Sequence, residues 1–224
     1  MKRFLSSLIA IIFVFSLSTV ALAAPGSFIQ SPSRNEGPVL VEGENESSDC
    51  TAELVVTPYK DRKTLPEKAL IDIEKAYDII ADCKDLTTLN SAFAAFVSNK
   101  GLKGVNLGVS DLFDVSYYNC DIHDYHGVFR IKLSSDTLKN FVGLLHYNDG
   151  EWEFISNARV LEDGETLEFS IKDLSPFAIV VEKEAGVVDF PSTGDNLNII
   201  LPVIMVVCSA ALLIVCIKIK KKTV

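Results

Sequence analysis

The sequence contains no glycine-rich phosphate loop: Gly101, Gly104 and Gly108 fall in a helix-to-strand connection and lack the spacing that cradles a nucleotide. No serine sits in a nucleophile-elbow pattern, so acyl transfer has no local signature. Internal repeats and low-complexity tracts are absent, which argues against a solenoid. Basic side chains are scarce in the middle of the chain, where residues 24–193 hold 15 Lys+Arg against 29 Asp+Glu, a net charge of −14. Such a surface repels nucleic acid and anionic lipid, both polyanions whose phosphates need Lys or Arg, and it suits solubility and cationic partners. Five cysteines form no evident framework. Cys208 and Cys216 lie in an apolar run as small hydrophobes, while Cys50, Cys83 and Cys120 are an odd set without paired spacing. One bridge with a free thiol and three buried thiols both fit that set.

The two ends are apolar. Lys2 and Arg3 precede an apolar stretch over residues 4–20 that closes on Ala21-Leu22-Ala23, the small-any-small pattern a signal peptidase accepts, so cleavage is expected after Ala23. Near the other end, residues 199–217 carry no charged side chain. Nineteen residues at about 1.5 Å each approach the roughly 30 Å hydrocarbon core, so one transmembrane helix is expected. Pro202 falls in its first turn, where a missing amide costs little, and Lys218, Lys220, Lys221 and Lys222 belong on the cytoplasmic side. The segment between the two runs is therefore expected outside the cell.

Between the ends the pattern predicts an α+β domain over residues 51–184. Residues 24–50, rich in Pro, Gly, Ser, Asn and Glu, read as a flexible arm, and Asn45-Glu46-Ser47 fits a glycosylation acceptor. A short strand over residues 54–56 stops at Pro58. Thr64-Leu65-Pro66-Glu67 reads as a capping box, and Leu70, Ile73, Tyr77 and Ile80 follow as one apolar helical stripe. A second amphipathic helix is expected from Asp85, with Leu86, Leu89, Phe93 and Phe96 on one face and Gly101 as its stop.

From Val109 the period becomes two, with strands expected over residues 112–118, 128–133, 141–147, 152–156, 159–162, 166–171 and 177–182. Asn148-Asp149-Gly150 and Asp163-Gly164 supply tight turns, so these strands argue an antiparallel sheet or sandwich.

Two chemical candidates stand out inside the domain. His123, Asp124 and His126 could meet a metal ion if their loop curled, although a polar turn explains the same residues and no fourth ligand is evident. Trp152, Tyr147, Tyr117 and Tyr118 could form a sugar-stacking platform or simply pack a core. Carboxylate pairs for glycoside cleavage cannot be told from solvated acids by sequence, because separation in space decides. No cofactor is expected, and the domain reads as non-enzymatic.

After Glu184 comes a brief spacer over residues 185–198, and within it Phe190-Pro191-Ser192-Thr193-Gly194. Followed by the apolar span and the lysine tail over residues 218–224, this peptide resembles the sorting signal of sortase-anchored surface proteins of Gram-positive bacteria, whose pattern is Leu-Pro-x-Thr-Gly. Pro191, Thr193 and Gly194 match in place, and Phe190 stands where the family has leucine. The resemblance implies that a sortase thiolate attacks the Thr193 carbonyl, releases Gly194 with the helix and tail, and passes Thr193 to a peptidoglycan amine. Two more stretches, residues 144–152 and 174–181, resemble a hairpin and last strand of β-rich domains that precede such anchors.

The expected partners are thus signal peptidase, sortase, peptidoglycan and the membrane, with the protein on the extracellular face, in the wall or plasma membrane, single-pass before processing. The expected role is a structural or adhesion module. The alternatives are a membrane-anchored extracellular protein that sortase does not process, or a small metal-dependent extracellular enzyme.

Overall fold

The structure, a computed structural model, describes residues 26–45, 52–119 and 127–183. The expected leader, sorting peptide, apolar span and lysine tail lie outside these residues, and so do Cys50 and Cys120. Among the described residues no helix is long and apolar enough to cross a membrane.

Among the described residues, nine strands form two antiparallel sheets. The first has the order β1 (Val39–Asn45), β4 (Phe129–Ser134), β8 (Thr166–Ile171), β7 (Arg159–Val160). The second has the order β2 (Glu53–Pro58), β3 (Leu107–Tyr118), β9 (Pro176–Glu182), β5 (Phe141–Asn148), β6 (Glu151–Phe154). Two α-helices, α1 (Glu67–Asp82) and α2 (Ser91–Asn99), are inserted between β2 and β3.

Alternation along the strands of the five-stranded sheet gives it two buried faces. Phe113, Val115, Leu144, Phe177 and Ile179 point to the four-stranded sheet, where they meet Phe129, Ile131, Leu133, Leu167 and Phe169. Val109, Leu112, Leu145, Ala178 and Val180 point the other way and meet Ile73, Ala76 and Ile80 of α1 and Phe93 and Val97 of α2. Helices, middle sheet and outer sheet thus form three layers around two apolar clusters. At about 25 cal/mol per Å² of apolar surface removed from water, burying each large side chain contributes roughly 1.5–3 kcal/mol, which explains why the middle strands are apolar nearly throughout.

The helical stripe predicted for α1 is the face that packs, with Ile73 and Ile80 fully buried and Tyr77 stacked on Tyr59 at a centroid distance of 4.7 Å. The capping box is not formed. Thr64 ends a 3-10 turn over Tyr59–Thr64 by donating its hydroxyl to the Asp61 carbonyl (2.9 Å), and α1 begins after Pro66 without a side-chain cap. Proline there needs no amide partner, so the helix starts by default rather than by reciprocal bonding.

The second helix is likewise shorter than its periodicity suggests. Asp85 caps only a 3-10 turn over Leu86–Thr88, and Asn90 interrupts, accepting from the Phe93 amide (2.9 Å) to open α2. Asn90 also donates to the Trp152 carbonyl (2.9 Å), fastening the helix start to β6. The hairpin turn is as the sequence predicts: Asp149 and Gly150 both hold positive φ, 48° and 92°, between β5 and β6.

Residues 26–45 depart most from expectation. They are not a flexible arm, and the folded body does not begin at residue 51. Phe28 is 4% exposed, its ring stacked on Tyr77 at 5.4 Å. Ile29 donates its amide to the Val109 carbonyl (2.9 Å), Val109 returns one to Ser27 (2.8 Å), and Ser27 bonds the Cys83 carbonyl through its hydroxyl (2.7 Å). β1 then pairs along β4. The polar composition misleads here because backbone ladders and one buried ring, rather than a hydrophobic stripe, hold the segment.

Candidate functional site

The sorting residues Phe190, Pro191, Ser192, Thr193 and Gly194, the leader residues Ala21 and Ala23, and the metal candidates His123, Asp124 and His126 all lie outside the described residues. Among the described residues no group of three His, Cys, Asp or Glu side chains could hold a metal ion. Cys83 is a free, half-buried thiol whose Sγ donates to the Asp85 carbonyl (3.1 Å).

The aromatic quartet does not form one platform. Tyr147 and Trp152 are cross-strand partners in the β5–β6 hairpin, 4% and 5% exposed, with ring centroids 5.2 Å apart. Tyr117 and Tyr118, by contrast, are exposed at the far end of β3.

Three buried polar constellations carry the chemistry that the strands bring together. The first centres on His146 in β5. Its Nε2 lies 2.6 Å from Ser175 Oγ and its Nδ1 3.4 Å from Glu153 Oε2, the cross-strand neighbour in β6. The ring stacks on Phe177 at 4.6 Å and is wholly buried. Burial pushes the imidazole below its ordinary value, while Glu153 and Asp173 pull the other way. The Ser175 hydroxyl donates its one proton to the Tyr147 carbonyl (2.6 Å), so its Oγ accepts from His146 Nε2–H. Serine, histidine and glutamate in series are the parts of an acyl-transfer relay, but His146 is covered, so it cannot hand a proton to a leaving group. The arrangement instead latches the segment before β9 onto β5.

The second centres on Asp111. A bulge between Val109 and Asp111 puts Ser110 and Asp111 side by side where β3 leaves the regular ladder. Asp111 Oδ1 accepts from Asn35 (2.7 Å), and Oδ2 accepts from Ser110 (2.9 Å) and from the Thr137 hydroxyl. Asn35 also bonds the Ser110 carbonyl (2.8 Å). Burial raises the carboxyl above the ordinary value, and the three donors offset part of that. One carboxylate therefore ties the N-terminal segment to β3 and to the β4–β5 connection.

The third is Asp114, next to last in the same strand's buried stretch and 1% exposed. Its neighbours Phe113 and Val115 face the outer sheet, so Asp114 faces the helical layer with Tyr147 and Trp152. Oδ2 has no hydrogen-bond partner, and neither does Trp152 Nε1. Burial pushes the carboxyl up to about 6; a hydrogen bond with Ser116 counters, and Asp72 on α1 adds to the rise.

Nothing in the sequence marked Asp111, Asp114 or His146 as a site. The available signal was the break in apolar alternation that two aspartates make inside a strand otherwise buried on both faces. No family model, curated protein or solved structure matches this chain.

Proposed function

We propose that this chain is an exported surface protein, delivered by the residue 1–23 leader, held by the residue 199–217 helix, and transferred at Thr193 to peptidoglycan by a sortase. The observation that carries the reading is the ordered run of sorting peptide, apolar span and lysines at one end of an acidic chain with a leader at the other. Pro191 presets a kink for an enzyme pocket, Gly194 leaves the departing side without bulk, and the helix holds the peptide near the membrane-bound enzyme.

The folded domain is, in this reading, a non-enzymatic structural or adhesion module. What supports that half is the deployment of its buried polar side chains: Asp111 and His146 spend their hydrogen bonds on joining segments of the fold. Its partners are signal peptidase, sortase, peptidoglycan and an extracellular ligand.

Fractionation tests the reading. In a Gram-positive host with a sortase, the wild-type chain is expected in the wall fraction, released by muralytic digestion, and Thr193→Ala is expected to stay in the membrane fraction. Equal membrane retention of both would favour the unprocessed single-pass alternative.

A further inference from the structure

The outer face of the four-stranded sheet is a checkerboard of charges. Glu42 pairs with Lys132, Glu44 lies opposite Arg130, and Arg159 donates Nε and Nη2 to one oxygen of Glu168 (3.0 and 2.6 Å). Most of this is a solvated cross-strand ladder, and such pairs contribute little to stability. One part of it is built differently.

β7 is only two residues long, so it leaves the edge of β8 uncovered at Ser170. The Asn157 carboxamide takes the place of the missing strand: Nδ2 donates to the Ser170 carbonyl (2.9 Å) and Oδ1 accepts from its amide (3.2 Å). The result is an open dish of about 430 Å³ lined by Arg130, Asn157, Arg159, Glu168, Phe169 and Ser170. Its fixed rim comes from a side chain whose two hydrogen bonds are both made to one backbone residue.

Charge within the dish runs against the rest of the domain. Two guanidinium groups face one carboxylate, in a segment that carries 29 acidic side chains against 15 basic ones over residues 24–193. Glu168 is held below the ordinary carboxylate range first by the hydrogen bond from Arg159 and then by the charges of Arg159, Lys132 and Arg130. Arg130 sits directly opposite Ser170 in the β4–β8 ladder, and among the described residues its acidic partner is Glu44, whose oxygen is 3.9 Å away, too far for a hydrogen bond. A planar donor fork with no bidentate partner among the described residues, next to a serine hydroxyl, matches the acceptor geometry of a carboxylate or phosphate.

We propose that this dish binds a single oxyanion, carboxylate or phosphate, carried by an extracellular polymer, with Arg130 as the fork and the Ser170 hydroxyl as a second donor. Arg159 closes one side and Glu168 limits affinity by competing for it. The proposal deepens the reading of the domain as a surface binding module and rests on it only for the ligand's extracellular source.

The test titrates the full-length chain in zwitterionic detergent with sodium phosphate and, separately, sodium acetate, at ionic strength held constant with chloride. Amide resonances report the occupied residues. Saturable shifts confined to the residues around Arg130, Asn157 and Ser170 are expected with at least one anion; response to phosphate alone selects the tetrahedral group, and response to acetate includes the planar one.

Arg130→Ala should weaken binding about tenfold or more, because a charge-assisted fork is lost, and Glu168→Gln should strengthen it by freeing Arg159. Lys132→Ala, on the same face outside the dish, should change affinity less than about twofold by comparison with that charge-assisted loss. Arg130 is a surface position, and unchanged resonances elsewhere certify the fold of the variant. Absence of saturation with both anions, or equal weakening by Arg130→Ala and Lys132→Ala, overturns the proposal. Neither result bears on cleavage at Thr193, so failure here is distinguishable from failure of the anchoring reading.

Discussion

Replacing Asp114 with asparagine keeps the shape of the side chain and removes its charge, and the consequence should depend on pH. Asp114 is buried against the helical layer with Oδ2 unpartnered, and its carboxyl is pushed up to about 6 from an ordinary 3.8. Between those two values the folded protein holds a proton that the unfolded chain has released, so stability falls as pH rises through the window. Above pH 6 the penalty is complete, and the displacement corresponds to about 3 kcal/mol. An asparagine escapes that penalty but leaves an amide hydrogen unpaired, at about 1 kcal/mol, for a net gain of about 2 kcal/mol at pH 7.5.

Burial shifts His146 with the opposite consequence for stability. Its depressed value means stability is lost as pH falls below the ordinary 6.5. It contributes equally to both proteins, and subtracting one curve from the other removes it. Urea unfolding of residues 24–189 at several pH values, followed by Trp152 fluorescence, measures the difference. The advantage of Asp114→Asn should shrink by about 3 kcal/mol between pH 7.5 and pH 4. A difference that stays flat across that range would show that Asp114 carries no buried charge.

Other perturbations test the joints of the fold. Phe28→Ala should destabilise by about 3–4 kcal/mol in the same unfolding assay, as for other buried aromatics, whereas a loss under about 1 kcal/mol would return residues 26–38 to the status of a loose arm. Gly26→Ala should be comparably damaging, since φ is +52° and a Cβ there would lie 1.9 Å from the Ala81 carbonyl oxygen; an unchanged melting temperature would contradict that close approach. Asp111→Ala leaves Asn35, Ser110 and Thr137 without their common acceptor and should cost about 2–3 kcal/mol, with faster hydrogen exchange at Ile29. Glu153→Gln removes the main support for a charged His146 and should push the imidazole lower still, read from the pH dependence of its carbon-bound proton resonances.

Legibility followed the strength of the local pattern. α1 was readable because Ile73, Tyr77 and Ile80 repeat at helical spacing, and the β5–β6 hairpin because Asp149 and Gly150 are residues that accept positive φ. β3 was placed five residues too late: Gly108, Ser110 and Asp111 break the alternation, and the reason is a bulge that only pairing with β9 reveals. The N-terminal segment was misread because its attachments, backbone bonds to Val109 and Ile80 and single side-chain contacts from Ser27, Phe28 and Asn35, reach partners distant in sequence and make no periodic pattern. The same applies to the polar constellations. Ser175 and His146 are 29 residues apart, and Asn35 and Asp111 are 76 apart, so strand order rather than spacing joins them.

The anchoring claim is tested most directly at one peptide bond. Muralytic release of the wall-bound protein, followed by protease digestion and mass spectrometry, should yield a terminal peptide ending at Thr193 whose carboxyl is amide-linked to a peptidoglycan cross-bridge fragment. Recovery instead of peptides that run unbroken through Gly194 into the apolar stretch, from protein at its cellular destination, would contradict the account.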